Sequence, residues 1–198
     1  MDLKLLRGFN QLKKAVFLDR DGVLNRTFFR DGKERAPQTL EQFEFLPGTL
    51  EALQKLKCLD YFTVVVTNQP DVARGWQKKE VVIAMNQKVL SELPIDDLKV
   101  CFHDQKDQCL CRKPNPGMLI EAATQWNIDI AGSFMVGDRL SDIEAGHRAG
   151  CQSILIGPGD DFKTAHPPNY RAQSLLQAVE WIEKNGPLFT IPRQKFSP

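Results

Sequence analysis

The side chains with the most chemical potential in this chain are carboxylates. Asp19 and Asp21 sit in KAVFLDRDGVLN (residues 14–25), and Asp138 and Asp142 sit in VGDRLSD. Brought together, such groups raise one another's pKa and repel unless a cation lies among them, and ligands that offer only oxygen select a hard ion such as Mg²⁺. Magnesium held this way leaves coordination positions for water and a substrate phosphate, so the expected ligand is a phosphoryl group. Asp19 would then attack phosphorus as the nucleophile. Asp21, two residues on, would protonate the leaving alkoxide and later take a proton from water. Thr67 in VVVTNQ and Lys113 in CRKP would give the transferring group a hydroxyl donor and a positive charge. One Asp after a strand is more often a turn former or a cap. Capping does not explain acidic residues at the ends of two strands together with a threonine at a third.

A second constellation is CFHDQKDQCLC, which spaces Cys101, His103, Cys109 and Cys111 as C-x-H-x5-C-x-C. Four soft or borderline ligands around one short loop suit tetrahedral Zn²⁺. With every position filled by protein, that ion is expected to be structural and to steady the loop that delivers Arg112 and Lys113. His147 and His166 have no such company and receive no role. Cys58 and Cys151 are expected to be inert core residues.

The elements that must position these groups can be read from periodicity. Apolar runs recur at 15–18, 62–66, 98–102, 134–136 and 153–156 without clean alternation, as in strands buried on both faces. Between them lie helical faces at Leu50/Leu53/Leu56, at Val81/Met85/Val89/Leu93 and at Met118/Leu119/Ala122/Trp126. Asn115 with Pro116 predicts a helix start, Ser141 with Glu144 a capping box, Gly150 a helix end, and Ser174 to Asn185 a last helix. Alternating strand and helix imply a three-layer, doubly wound parallel α/β sheet with ligands beyond the carboxyl ends of its strands. Asp19, Asp21, Thr67, His103 and Asp138 all fall there. Residues 26–46 and 157–170 read as long loops near the same rim. The expected organisation is one domain over residues 1–198, with its core at about 14–185, a metal loop at 101–111 and a tail at 187–198.

Twenty-six basic against 25 acidic side chains leave no global field for nucleic acid or an anionic membrane. With no apolar run of signal-peptide or membrane-span length and an odd number of cysteines, the expectation is a cytoplasmic protein, monomeric, whose partner is a small phosphorylated substrate.

FLDRDGVLN, VVVTNQ, CRKP and VGDRLSD resemble, in order, the four motifs of the haloacid dehalogenase superfamily of aspartate-nucleophile phosphatases. The resemblance implies Asp19 as nucleophile and metal ligand, and Asp21 as general acid/base and metal ligand through its carbonyl. It implies Thr67 and Lys113 as phosphoryl stabilisers, Asp138 as a Mg²⁺ ligand, and Asp142 as an orienting group behind the metal. The C-x-H…C-x-C insertion is similar to that of the branch holding the heptose bisphosphate phosphatases and the histidinol-phosphate phosphatase domains, which has no large cap domain. Within it, TNQ followed by ARG (73–75), FEFLPG (43–48) and CRKPNPGML favour a heptose bisphosphate. The implied substrate contacts are Asn68, Gln69, Pro70, Arg112, Arg139 and a loop formed by Thr27, Phe28, Phe29 and Arg30. Pro70 and Asp71 stand where small residues are usual, and the short His103–Cys109 spacing is that of the histidinol-phosphate domains, which stay open as the alternative. A receiver domain also gathers Asp, Thr and Lys around Mg²⁺, but it has no use for Asp21 as an acid or for a zinc loop.

Overall fold

The computed structural model describes residues 12–30, 32–157 and 166–186. The tail expected at 187–198 and most of the loop expected at 157–170 lie outside them. Six strands form one parallel sheet: β1 (Ala15–Leu18), β4 (Phe62–Asn68), β5 (Asp97–Cys101), β6 (Phe134–Gly137), β7 (Gln152–Ile156) and β8 (Tyr170–Ala172). Their order is β5-β4-β1-β6-β7-β8, so the strand carrying Asp19 sits inside the sheet with β4 and β6 on either side. A two-stranded antiparallel hairpin, β2 (Phe28–Arg30) and β3 (Lys33–Arg35), rises from the connection after β1. It is short, and among the described residues no segment forms a large cap.

Both faces of the sheet are covered, which is why the strand sequences do not alternate. Val16 and Leu18 of β1 pack into one cluster with α1 (Thr49–Cys58), α2 (Lys79–Glu92) and α5 (Leu175–Asn185). Ala15 and Phe17 pack into another with α3 (Gly117–Trp126) and α4 (Leu140–Ala149). All four β1 side chains are fully enclosed, so the strand cannot slide without moving an apolar residue into the wrong layer. That anchoring fixes where Asp19 begins.

Several local expectations need correction. Leu50 is exposed, because the buried stripe of α1 runs through Ala52, Leu53 and Leu56. Cys58 is exposed as well, since it stands two residues past Leu56 on the opposite side of that helix. On α2 the predicted Met85, Val89 and Leu93 are buried and Val81 partly so, and Val82 and Asn86 join them on the buried face. Helix α3 begins at Gly117 with Pro116 before it, and Asn115 uses its amide to hold the Cys109 carbonyl at 2.8 Å. Helix α4 is capped by Asp142, which accepts from the Arg139 N–H at 3.0 Å, while Glu144 pairs with Arg148 and His166. Gly150, at φ +95°, does end α4, and the Ser174 hydroxyl caps α5 by accepting from the Gln177 N–H.

Candidate active site

Asp19, Asp21, Thr67, Lys113, Asp138 and Asp142 meet at the carboxyl ends of β1, β4 and β6. Lys113 is the centre of charge. Its buried ammonium touches Asp19 Oδ1 at 2.7 Å and Asp142 Oδ1 at 2.6 Å and donates to the Val66 carbonyl at 2.7 Å. Burial disfavours that charge, but the two carboxylates outweigh burial and hold the Lys113 pKa above its usual value. Asp142 spends its other oxygen on the Arg139 N–H and is almost fully enclosed. Both its oxygens are thus engaged.

Asp21 is held by a different set. Arg20 reaches its two oxygens at 3.2 and 3.1 Å, Asn25 donates at 2.9 Å and Gln69 at 2.7 Å. Burial alone would push the Asp21 pKa up; the Arg20 charge and these hydrogen bonds more than offset it and keep the carboxyl below its ordinary range. The Gln69 amide also donates to the Thr67 hydroxyl at 2.8 Å, linking Asp21 to the β4 threonine. Asp19 behaves oppositely. Burial, opposed by Lys113 and reinforced by Asp142 and Asp21, pushes it up to about 6, and burial with the Asp19 and Asp142 charges pushes Asp138 to about 8.

These carboxylates fit a divalent cation. Oxygens of Asp19, Asp138 and Asp142 lie within 4.8 Å of one another. Among the described residues, Asp138 Oδ1 is buried yet has no hydrogen-bond partner, which is costly for an anionic oxygen unless a cation serves it. Two glycines let the backbone come this near: a Cβ on Gly22, whose φ is +89°, would stand 2.3 Å from Asp138 Oδ2, and one on Gly137 would stand 2.1 Å from the Asp142 Cβ.

The second cluster also fits its metal. Cys101, Cys109 and Cys111 Sγ lie 3.2, 3.4 and 3.7 Å apart, and His103 Nδ1 is 3.3 Å from Cys111 Sγ and 3.6 Å from Cys101 Sγ. Tetrahedral zinc–thiolate bonds give sulfur–sulfur edges of about 3.8 Å, whereas a disulfide needs about 2 Å. The segment around Lys113 is held by the loop on one side and by β4 on the other. Arg112 donates to the His103 carbonyl at 3.3 Å, and the Asn68 amide grips the Lys113 backbone from both sides, at 3.0 and 3.1 Å.

A cleft of about 790 Å³ opens over Asp19, Asp21 and Asp138. Of the residues read as substrate contacts, Asn68, Gln69, Pro70, Arg112 and Arg139 line it. The loop read from Thr27, Phe28, Phe29 and Arg30 does not: Phe29 is 76% exposed, and Arg30 turns to the Ala36 carbonyl at 2.6 Å. The hairpin instead presents its second strand, Lys33, Glu34 and Arg35, to the cleft. Sequence reasoning missed these two cations because a three-residue strand leaves no periodic signal. Asp71, unexplained by the motifs, binds Arg74 at 3.2 Å, and Arg74 continues to Asp104 of the metal loop at 2.5 Å. Its charge is spent on an arginine.

Known proteins resemble this chain in sequence and in fold. Residues 110–178 match the HAD-hydrolase-like family model. The chain is 36% identical over 156 residues to the D-glycero-beta-D-manno-heptose-1,7-bisphosphate 7-phosphatase of Pasteurella multocida, covering 73% of this chain and 82% of that one. It is 32% identical over 176 residues to the enzyme so named from Helicobacter pylori, covering 86% and 97%. Among solved structures, the D,D-heptose 1,7-bisphosphate phosphatase of B. bronchiseptica, complexed with magnesium and phosphate, superimposes with a TM-score of 0.74 at 31% identity, covering 86% of this chain and 98% of that one. The chain therefore belongs to the haloacid-dehalogenase-like phosphatases, in the family of the heptose-1,7-bisphosphate 7-phosphatases.

Proposed function

We propose that this protein removes the 7-phosphate of D-glycero-D-manno-heptose 1,7-bisphosphate, leaving heptose 1-phosphate, by way of an aspartyl-phosphate on Asp19. The observation that carries the reading is the Lys113 ammonium held between Asp19 and Asp142, beside an unserved Asp138 oxygen. Asp19, Asp138 and the Asp21 carbonyl would hold Mg²⁺, with Asp142 behind them as the anchor of Lys113. When bound, the ion supplies positive charge that draws the phosphate in and offsets the charge building on its oxygens.

The chain's own groups account for the rest. Asp19 forms a bond to phosphorus as the bond from phosphorus to the sugar oxygen breaks, and Asp21, ionised in the free site, takes up a proton when the negative phosphate enters and gives it to that oxygen. Lys113 and the Thr67 hydroxyl stabilise the equatorial oxygens in transit. Asp21 then takes a proton from the water that attacks the aspartyl-phosphate, and phosphate leaves. Arg112, Arg139, Lys33 and Arg35 surround the mouth of the cleft and suit the second phosphate of a bisphosphate. The histidinol-phosphate alternative leaned on the short His103–Cys109 spacing. That spacing already has a use in closing the four-ligand cluster, so it does not argue for a substrate.

Initial rates of phosphate release with Mg²⁺ test the reading across both heptose bisphosphate anomers, histidinol phosphate and nitrophenyl phosphate. A heptose bisphosphate is expected to exceed histidinol phosphate in kcat/KM by about 100-fold or more. The reverse order would discard the proposed substrate.

A further inference from the structure

The reaction as proposed leaves one buried ion without a job. Arg20, between Asp19 and Asp21 in the chain, is completely enclosed, and an enclosed guanidinium needs full compensation for its lost hydration. It has it. Nη2 donates to both Asp21 oxygens at 3.2 and 3.1 Å and Nε to one of them at 3.4 Å, Nη1 donates to Asn86 Oδ1 at 2.6 Å, and the guanidinium carbon lies 5.5 Å from the Phe43 ring centroid. Asn86 is itself out of place by composition. It lies on the buried face of α2 among Val82, Met85 and Val89, where an amide costs desolvation unless a fixed partner receives it. That partner is Arg20, 66 residues away in the chain.

We propose that Arg20 and Asn86 are positioning residues that aim the Asp21 carboxylate at the leaving-group oxygen, an inference that rests on Asp21 being the proton donor. The planar fork of Arg20 meets Asp21 at two points and fixes the tilt of its carboxylate, which a single-point cation cannot do. Asn86 in turn fixes the fork, and α2, packed on the sheet, fixes Asn86. Asn25 and Gln69 complete the hold from the other sides. Proton transfer depends steeply on donor placement, so a small swing of Asp21 would be felt in the bond-breaking step.

The test compares kcat/KM on two esters that differ in their need for an acid. Nitrophenyl phosphate has a leaving group that departs without a proton; the second ester is the alkyl phosphate that the intact protein hydrolyses fastest. Asn86→Leu is expected to lower kcat/KM on the alkyl ester by about tenfold more than on the nitrophenyl ester, within the reach of general acid catalysis. Arg20→Lys, which keeps the charge and loses the fork, is expected to do the same, and Asn86→Asp, which keeps the acceptor, to recover most of the loss. Asn86→Ser carries the same expectation as Asn86→Leu and is used if the leucine variant does not fold. Equal losses on both esters, or none, overturn the positioning role when Asp21→Asn remains selective. If Asp21→Asn is itself unselective, the reading of Asp21 as acid falls, and the positioning role falls with it.

Discussion

Lys113 sets the charge balance of the site, because one ammonium neutralises two carboxylates that would otherwise repel an incoming phosphate. Lys113→Met is expected to lower kcat by about 10²–10³-fold, the usual cost of removing a group that stabilises developing charge. A change in KM alone would show that it only binds. The carboxylates also set a pH dependence. Without metal, Asp19 rises from an ordinary 3.8 to about 6 and Asp138 to about 8, so the folded protein keeps protons that the unfolded chain releases. Stability of the metal-free protein is therefore full below pH 3.8 as far as these groups are concerned, and it is lost as pH rises through 6 and 8. Thermal melts in chelator are expected to show a lower Tm at pH 8 than at pH 5, with Mg²⁺ restoring more at the higher pH; equal restoration at both would contradict the assignment. Asp19, Asp21, Thr67 and Lys113 were legible in the sequence because their types and order are chemically distinctive. Arg20, Asn25 and Asn86 were not, because each is ordinary until the fold closes a distance that sequence does not express.

At the scale of elements, the metal loop and the hairpin do different work. The loop from Cys101 to Cys111 runs directly into Arg112 and Lys113, and Arg112 donates back to its His103 carbonyl. Cys109→Ser, which removes one of the four candidate ligands, is expected to abolish zinc binding by the loop and to lower kcat about tenfold or more with little change in the melting of the sheet, since the loop leads into Lys113; metal analysis beside kinetics checks it. Undiminished kcat in a zinc-free variant would separate the loop from the chemistry. The hairpin offers Lys33 and Arg35 to the cleft. Their joint replacement by Ser is expected to raise KM for a bisphosphate several-fold and leave the nitrophenyl ester unchanged, and an equal effect on both esters would remove the hairpin from recognition. Strands and helices were readable from apolar runs. The hairpin and β8 were not, because three-residue strands are held by their surroundings and carry too few residues for a period to show.

For the whole molecule, the central fact is that β1 lies between β4 and β6, so that one sheet brings Asp19, Thr67 and Asp138 to a common rim. The alternation of strand and helix made the parallel three-layer sheet legible, with ligands expected beyond the carboxyl ends of its strands, but not the order of those strands. Which helices share a face was not, because it depends on strand order. The sheet's rigidity rests on packing such as that of Phe134, enclosed between Tyr61 at 5.9 Å and Trp181 at 6.2 Å. Phe134→Ala is expected to cost about 3–5 kcal/mol in denaturant melts while sparing kcat at low temperature. Transfer of the phosphoryl group to Asp19 is the central step proposed, and acid-quenched turnover with Mg²⁺ and heptose bisphosphate, followed by peptide mass analysis, examines it directly. One phosphoryl group on the peptide carrying Asp19, absent from Asp19→Asn together with phosphate release, is the predicted result. Phosphate release that persists in Asp19→Asn, or a phosphoryl group on any other residue, would contradict it.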